Sequence, residues 1–294
     1  MVEKVWVVGC EGLVGKEVMK FLEVHAIEHF GTTHVQADVT DIKLLRSVSA
    51  SIKPTLIINC SAYVNVDLAE GEGREIAYHV NVVGVVNLAH VAKEKKAKLI
   101  HIGTDYVFNG ANDKDYVEAD QACPINRYGM TKLEGEQRMF EVYPQSICVR
   151  TASLYGRGKR GLVSTIIEGL ETLEEVKAVI DQTSTPTYIP HLVQALWAVR
   201  NQSGIFHFVN KGYASRFDLV EEVKNYAEVL GRPMKCQRLI GVRSEELKRA
   251  ALRPIRSVLS THKIERYLSE PICCWKGALR QYLRELGWVS QEIF

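Results

Sequence analysis

Short apolar runs alternate with segments of helical spacing along the first half of the chain. Val2–Gly9 is a β-rich run, a glycine-interrupted helix follows to about Glu23, and Ala26–Gly31 is a shorter run. Thr40 and Asp41 are capping residues that introduce a helix over Asp41–Ser51. Thr55–Cys60 (TLIINC) is continuous and β-branched, Ala77–Lys95 has helical spacing, and Lys98–Thr104 (KLIHIGT) repeats the buried-strand pattern. Arg127–Tyr143 predicts a helix and Ser146–Leu154 (SICVRTASL) another strand. Strands apolar on both faces and separated by helices predict a parallel sheet covered on both sides, a Rossmann-like doubly wound α/β fold.

After residue 154 the alternation loosens. Leu162–Leu173 is helical, and Val176–Asp181 reads as one more strand, the last of the sheet. Helices dominate from Pro190 onward, at Pro190–Asn201, Ser215–Leu230, Ser244–Ala251 and Trp275–Leu286, with a small strand pair at Gly204–Val209 and Gln237–Ile240. The expected division is an NAD(P)-binding domain over 1–154, joined by a strand near 176–189, and a smaller helix-rich substrate-binding domain over 155–294.

Composition then removes whole classes of function. With 294 residues, 46% hydrophobic and 24% charged, the chain has material for a large core, so disorder and coiled coil are excluded. Lys and Arg number 37 against 35 Asp and Glu, a net charge of +2, which offers no electrostatic footprint for nucleic acid. The apolar stretch Val5–Val8 runs straight into glycines and Glu11, so no signal-peptide core is expected. No apolar run approaches the ~18 residues of a membrane span. The seven cysteines lack zinc-knuckle spacing and read as reduced, mostly buried thiols of a cytoplasmic protein. The nine histidines are scattered, and no metal site is expected from their spacing.

The turn after the first strand is Gly9-Cys10-Glu11-Gly12-Leu13-Val14-Gly15. Glycines there let the backbone turn sharply and approach a pyrophosphate, whose charge faces the free N–H groups of the next helix. The position between a first strand and a first helix is the context that such a loop requires. The second run ends Phe30-Gly31-Thr32-Thr33-His34, with neither an acid for an NAD ribose nor an arginine for a 2′-phosphate. Asp38 and Val39, ahead of the helix cap, are either a plain turn or a carboxylate and apolar contact for the adenine.

Tyr128-Gly129-Met130-Thr131-Lys132 sets a phenol and an ammonium at i and i+4 on one helix face. A nearby cation lowers a phenol's pKa and makes it a usable general acid. Thr104 ends a strand at the carboxyl edge of the sheet, where open α/β folds bind ligands, and its hydroxyl can hydrogen-bond a carbonyl oxygen as charge builds. Pro124 stiffens the approach to the tyrosine helix.

The glycine spacing resembles the extended short-chain dehydrogenase/reductases. Thr104–Gly110 (TDYVFNG), Pro124–Glu134 (PINRYGMTKLE), Arg150-Thr151, Asp181-Gln182 with Pro186-Thr187, and Arg253-Pro254 occur in order. Together they resemble the dTDP-4-dehydrorhamnose reductase family over essentially the whole chain. The resemblance implies reduction of the C4 ketone of a nucleotide-linked 6-deoxy-4-keto sugar, such as dTDP-4-dehydro-L-rhamnose, with NADPH favoured and NADH an alternative. It implies that Tyr128 protonates the oxyanion, that Lys132 lowers the Tyr128 pKa and holds the nicotinamide ribose, and that Thr104 polarises the carbonyl. Asp105 would bind sugar hydroxyls; Ser61, Ala62, Tyr63 and Ile102 would line the cofactor; and Asn81 would steady Lys132 through water or make a helix contact. Some family members bind Mg²⁺ near a dimer contact, and no ligand is assigned to it in this sequence.

Departures from the family pattern fall at Gly103, where a serine is usual, at Val64 for a threonine, and at Ala152-Ser153 for a serine and tryptophan. Ser184-Thr185-Pro186-Thr187 replaces Gly-x-Pro-Thr, and Ser153 alters the sugar or base pocket. Alternative functions are reduction of another 4-keto-6-deoxy sugar nucleotide, including a UDP-linked one, or a non-catalytic NADP-binding role like that of the methionine adenosyltransferase β subunit. Epimerisation is disfavoured, because no cysteine lies within Val66–Glu70. Arg157, Lys159 and Arg160 form a basic loop, either solvated or facing a diphosphate. The helix Trp275–Leu286 is an amphipathic packing element or a homodimer surface.

Overall fold

The computed structural model describes residues 3–158 and 161–289. Five strands of the first half, β1 (Lys4–Val8), β2 (Glu28–Thr32), β3 (Leu56–Asn59), β4 (Lys98–Ile102) and β5 (Ile147–Arg150), pair in parallel. Helices α1 (Leu13–Val24), α2 (Ile42–Ile52), α3 (Arg74–Tyr78), α4 (Gly84–Lys95) and α5 (Arg127–Val142) connect or flank them. Side chains leave alternate faces of a strand, and both faces here are apolar: Val5 and Val7 enter one core while Trp6 and Val8 enter the other. Leu56 and Ile58 oppose Ile57 in the same way, and Ile147 and Val149 oppose Cys148.

The sixth strand of this sheet is Gly204–His207, parallel to β5, giving the order Gly204–His207, β5, β4, β3, β1, β2. The expectation that Val176–Asp181 closes the sheet is therefore corrected. Glu175–Val179 pairs instead with Arg238–Val242 in a separate two-stranded parallel ribbon. Gly204 and Gln237 thus begin or precede strands with different partners, not a pair. Ser146–Leu154 is also shorter than expected: β5 ends at Arg150, and Ser153 takes a left-handed φ of 44°. Ser244–Ala251 holds only one tight turn, Ser244–Leu247, halted by Lys248 at φ 44°.

Arg74–Lys95 runs as one helical stretch with a π turn at His79–Val83 between α3 and α4. Gly135 of α5 lies against it so closely that a Cβ would sit 2.0 Å from the Asn81 carbonyl. The second half has its own core, in which Trp275, Ala278, Leu279, Tyr282 and Leu283 of the last helix pack on Tyr155, Tyr188 and Leu219. That helix spends its apolar face inside the chain. The cysteines are less buried than expected: Cys148 and Cys236 are buried, Cys10 and Cys60 intermediate, and Cys123, Cys273 and Cys274 exposed, all free. No helix among the described residues is long and apolar enough to cross a membrane.

Candidate active site

With β1 between β2 and β3, the chain reverses direction across the sheet at β1, and the crevice outside the carboxyl ends of β1 and β3 is where such a fold takes a ligand. Gly9 turns there at φ 78°, and a Cβ on Gly15 would lie 2.2 Å from the Gly9 carbonyl oxygen, so the helix start can only approach the strand without a side chain. No side chain caps α1 at Gly12 and no acid stands in its first turn, which leaves the N–H groups of Leu13, Val14 and Gly15 for an anion. A cleft of about 640 Å³ opens beside this loop. Gly9, Glu11, Gly12, Asp38, Val39, Ser61 and Ala62 line it.

Asp38 forms the turn expected of it and also borders the cleft. Its Oδ1 accepts from the Thr40 N–H at 2.9 Å and hydroxyl at 2.8 Å, closing the turn, while the residue still borders the cleft. Tyr63 does not line it. The Asn81 side chain pins Tyr63 instead, accepting from its N–H at 2.9 Å and donating to its carbonyl at 3.1 Å, and also donates to the Thr131 hydroxyl at 3.1 Å. Asn81 thus makes the helix contact, to Tyr63 and Thr131. Thr33, His34 and Ile76 border the cleft without having been singled out by sequence.

A second cleft, of about 330 Å³, lies between the sheet edge and the second half of the chain. Tyr106, Ser153, Gln182, Arg216, Arg249 and Arg253 line it. Arg253 is held bidentately by Asp67, at 2.8 and 2.5 Å, and that hydrogen bonding draws the Asp67 carboxyl down to about 2. Arg216 and Arg249 have no carboxylate partner among the described residues, and burial lowers the pKa of both. Sequence reasoning missed these two, since a lone arginine carries no local pattern. Ser153 is present as expected, with its hydroxyl 2.6 Å from that of Ser184. Arg157 pairs with Glu285 at 3.4 Å, and Lys159 and Arg160 lie outside the described residues.

Tyr128 stands beside the second cleft, against Tyr106 of its lining. Its ring meets Tyr106 edge-on at 5.9 Å, and Gly129 allows the helix to approach: a Cβ there would sit 2.2 Å from the Tyr106 carbonyl. Asn126 caps α5 by accepting from the Gly129 N–H at 2.8 Å and donates to the Leu252 carbonyl at 2.8 Å, which ties the helix start to the arginine-rich loop. Burial raises the Tyr128 pKa, opposed by a hydrogen bond with Thr104. Lys132 of the same helix meets β4. Its Nζ donates to the Ile102 carbonyl at 2.7 Å and lies 3.0 Å from His101 Nε2.

Thr104 and Asp105 sit beneath this point. Asp105 is 3% exposed, accepts from Ser257 at 2.5 Å and from Thr104 at 3.2 Å, and is pushed up to about 7 by burial. Gly103, the departure next to them, has a physical reason: a Cβ would meet Glu136 Oε1 at 2.6 Å and Arg150 Cγ at 2.8 Å, in the buried Arg150–Glu136 ion pair. Val64 is exposed and lines neither cleft. No cluster of three potential metal ligands occurs among the described residues.

A family model described as the RmlD substrate binding domain matches residues 3–287. The chain is 36% identical over 287 residues to a dTDP-4-dehydrorhamnose reductase of Mycolicibacterium smegmatis, covering 95% of this chain and 85% of that one. It is 32% identical to a dTDP-4-keto-6-deoxy-D-glucose reductase of Streptomyces niveus, covering 96% of each. A solved dTDP-4-dehydrorhamnose reductase of Bacillus anthracis in complex with NADP superposes with a TM-score of 0.91 at 32% identity, over 97% of this chain and 100% of that one. The glycine turn, the Tyr-x-x-x-Lys helix and these full-length matches agree, and the chain belongs to the dTDP-4-dehydrorhamnose reductase family.

Proposed function

We propose that this protein is an NADPH-dependent ketoreductase that reduces C4 of dTDP-4-dehydro-L-rhamnose to give dTDP-L-rhamnose. The observation that carries this reading is the meeting of Tyr128 with Thr104 and with Tyr106 of the arginine-lined cleft, in a fold whose glycine turn opens a cleft of its own. Gly9, Gly12 and Gly15 supply a backbone cradle and an uncapped helix start for the cofactor's pyrophosphate, with Val39, Ser61 and Ala62 along the cleft wall. NADPH, bound there, supplies the hydride. Arg216 and Arg249 offer two unpaired guanidiniums for the sugar nucleotide's diphosphate.

Burial keeps the Tyr128 phenol protonated at neutral pH, the state needed to give a proton to the C4 oxygen. The Thr104 hydroxyl, already a neighbour of Tyr128, donates toward the same oxygen as charge develops. Lys132 supplies the second proton-bearing group on the same helix face. Ser153 and Ser184 form the polar wall facing the sugar, and Asp105 braces Thr104 and Ser257 from below. We place the reaction in the cytoplasm, with the sugar nucleotide as a small-molecule partner.

Purified protein given NADPH and dTDP-4-dehydro-L-rhamnose is expected to consume the coenzyme and release dTDP-L-rhamnose, identified by its sugar after hydrolysis. Coenzyme binding without turnover of this substrate would overturn the rhamnose reading. Turnover only of the unepimerised 4-keto-6-deoxyglucose nucleotide would keep the chemistry and replace the substrate.

A further inference from the structure

Ser61, Asn59, His101 and Lys132 form a file of hydrogen-bonding groups beneath the site, in which Asn59, His101 and Lys132 are each no more than 1% exposed. Asn59 Oδ1 accepts from the Ser61 N–H at 3.0 Å and from its hydroxyl at 2.6 Å. A backbone N–H only donates, so the oxygen end of the Asn59 amide faces Ser61 and its NH₂ end faces His101 Nδ1, 3.0 Å away. Nδ1 therefore accepts, and the neutral imidazole carries its proton on Nε2. That Nε2–H points at Lys132 Nζ across 3.0 Å, while Nζ donates to the Ile102 carbonyl at 2.7 Å. Against an ammonium this contact sets donor against donor. Against a free amine it is a hydrogen bond, and burial shields the contact from bulk solvent, which sharpens the preference.

We propose that His101, its tautomer fixed by Asn59, is a positioning residue that stabilises Lys132 as the free amine and so sets the pH at which this lysine gives up its proton. The proposal rests on the roles assigned above to Tyr128 and Lys132. Tyr128 gives its O–H proton to the C4 oxygen, and the phenolate regains one from the Lys132 ammonium once Nζ swings from the Ile102 carbonyl toward it; the amine that returns accepts from His101 Nε2–H until solvent restores its proton as product leaves.

The other groups facing Lys132 pull in known directions. Burial brings it down to about 8, while Cys148 of β5 and Glu136 of α5 favour its charged form. Arg150 is committed to Glu136 at 2.9 Å, and His101 stays neutral because burial and Lys132 push its pKa well below the usual histidine range. The residues lie far apart in sequence, with Asn59 and His101 separated by 42 positions, so no local motif marks them.

Asn59→Asp tests the idea by reversing the tautomer. A carboxylate at 59 accepts from both Ser61 and His101 Nδ1–H, which turns Nε2 into an acceptor for the Lys132 ammonium. The alkaline limb of the kcat profile is expected to move up by about one pH unit, a tenfold gain in proton affinity, with the plateau below it nearly unchanged. His101→Gln, whose side-chain oxygen can accept from the ammonium, is expected to move the limb in the same direction. Nitrogen-15 NMR, with the His101 signals assigned by their loss in His101→Gln, should show Nε2–H in the wild type and Nδ1–H in Asn59→Asp. A wild-type Nδ1–H tautomer or imidazolium would overturn the proposal, as would a switched tautomer with an unmoved limb. Undiminished activity of Lys132→Met would instead defeat the role of Lys132 itself, whatever tautomer His101 shows.

Discussion

The glycine-turn cleft is walled by backbone and small side chains and holds its shape through close approach: Gly9 to the turn after β3, Gly15 to Gly9. The arginine-lined cleft is walled by side chains from both halves of the chain, with Asp67 and Tyr106 from the first and Gln182, Arg216, Arg249 and Arg253 among those from the second. In the function proposed above, the first takes the coenzyme through N–H groups that no substitution of side chain can replace. The second, in the same proposal, takes the sugar nucleotide through side chains that can be exchanged one at a time.

The contrast predicts which side breaks hardest. Gly15→Val places side-chain atoms where a Cβ alone would be 2.2 Å from a carbonyl oxygen, so NADPH binding should fall by more than about a hundredfold, measured by calorimetry on protein that retains its circular dichroism. Retained tight binding would deny that the cleft is built on backbone approach. Arg216→Gln should raise KM for the sugar nucleotide by about ten- to a hundredfold, the worth of one charge-assisted hydrogen bond, with the NADPH dissociation constant unchanged. An equal loss of coenzyme affinity would show that the two clefts are not separate.

The smallest effect is on stability and depends on pH. Asp105 has its folded pKa raised from 3.8 to about 7 by burial, so ionisation costs stability: the wild type is most favoured below the unfolded value and loses ground as pH rises to about 7. Asp105→Asn has no such loss. Its Tm should gain on the wild type across that window, by several degrees, and the gap should then stay constant above it. A gap that is the same at pH 4 and pH 8 would mean that Asp105 is ionised throughout.

The sheet was legible because its strands are apolar on both faces and separated by helices, a pattern that survives without knowledge of partners. Partnership itself was not legible. Glu175–Val179 and Gly204–His207 are equally apolar short runs, and only tertiary pairing decides that the second joins β5. Ser244–Ala251 has helical spacing, yet Lys248 turns left-handed and brings Arg249 and Arg253 to the cleft, so the binding surface overrides the local preference. Within the site, Thr104, Tyr128, Lys132 and the glycine turn were readable from spacing along one element. The Asp67–Arg253 pair and the Asn59–His101–Lys132 file were not, because each joins elements 31 to 186 residues apart.

The central claim is that Tyr128 delivers the proton to the reduced C4 oxygen. Single-turnover oxidation of NADPH by dTDP-4-dehydro-L-rhamnose, with wild type and Tyr128→Phe compared at equal coenzyme occupancy, tests it most directly. The account predicts a loss of at least about a hundredfold in the rate of the variant, the contribution of a positioned general acid, with coenzyme binding intact. A variant that oxidises NADPH within a few-fold of the wild-type rate would contradict it.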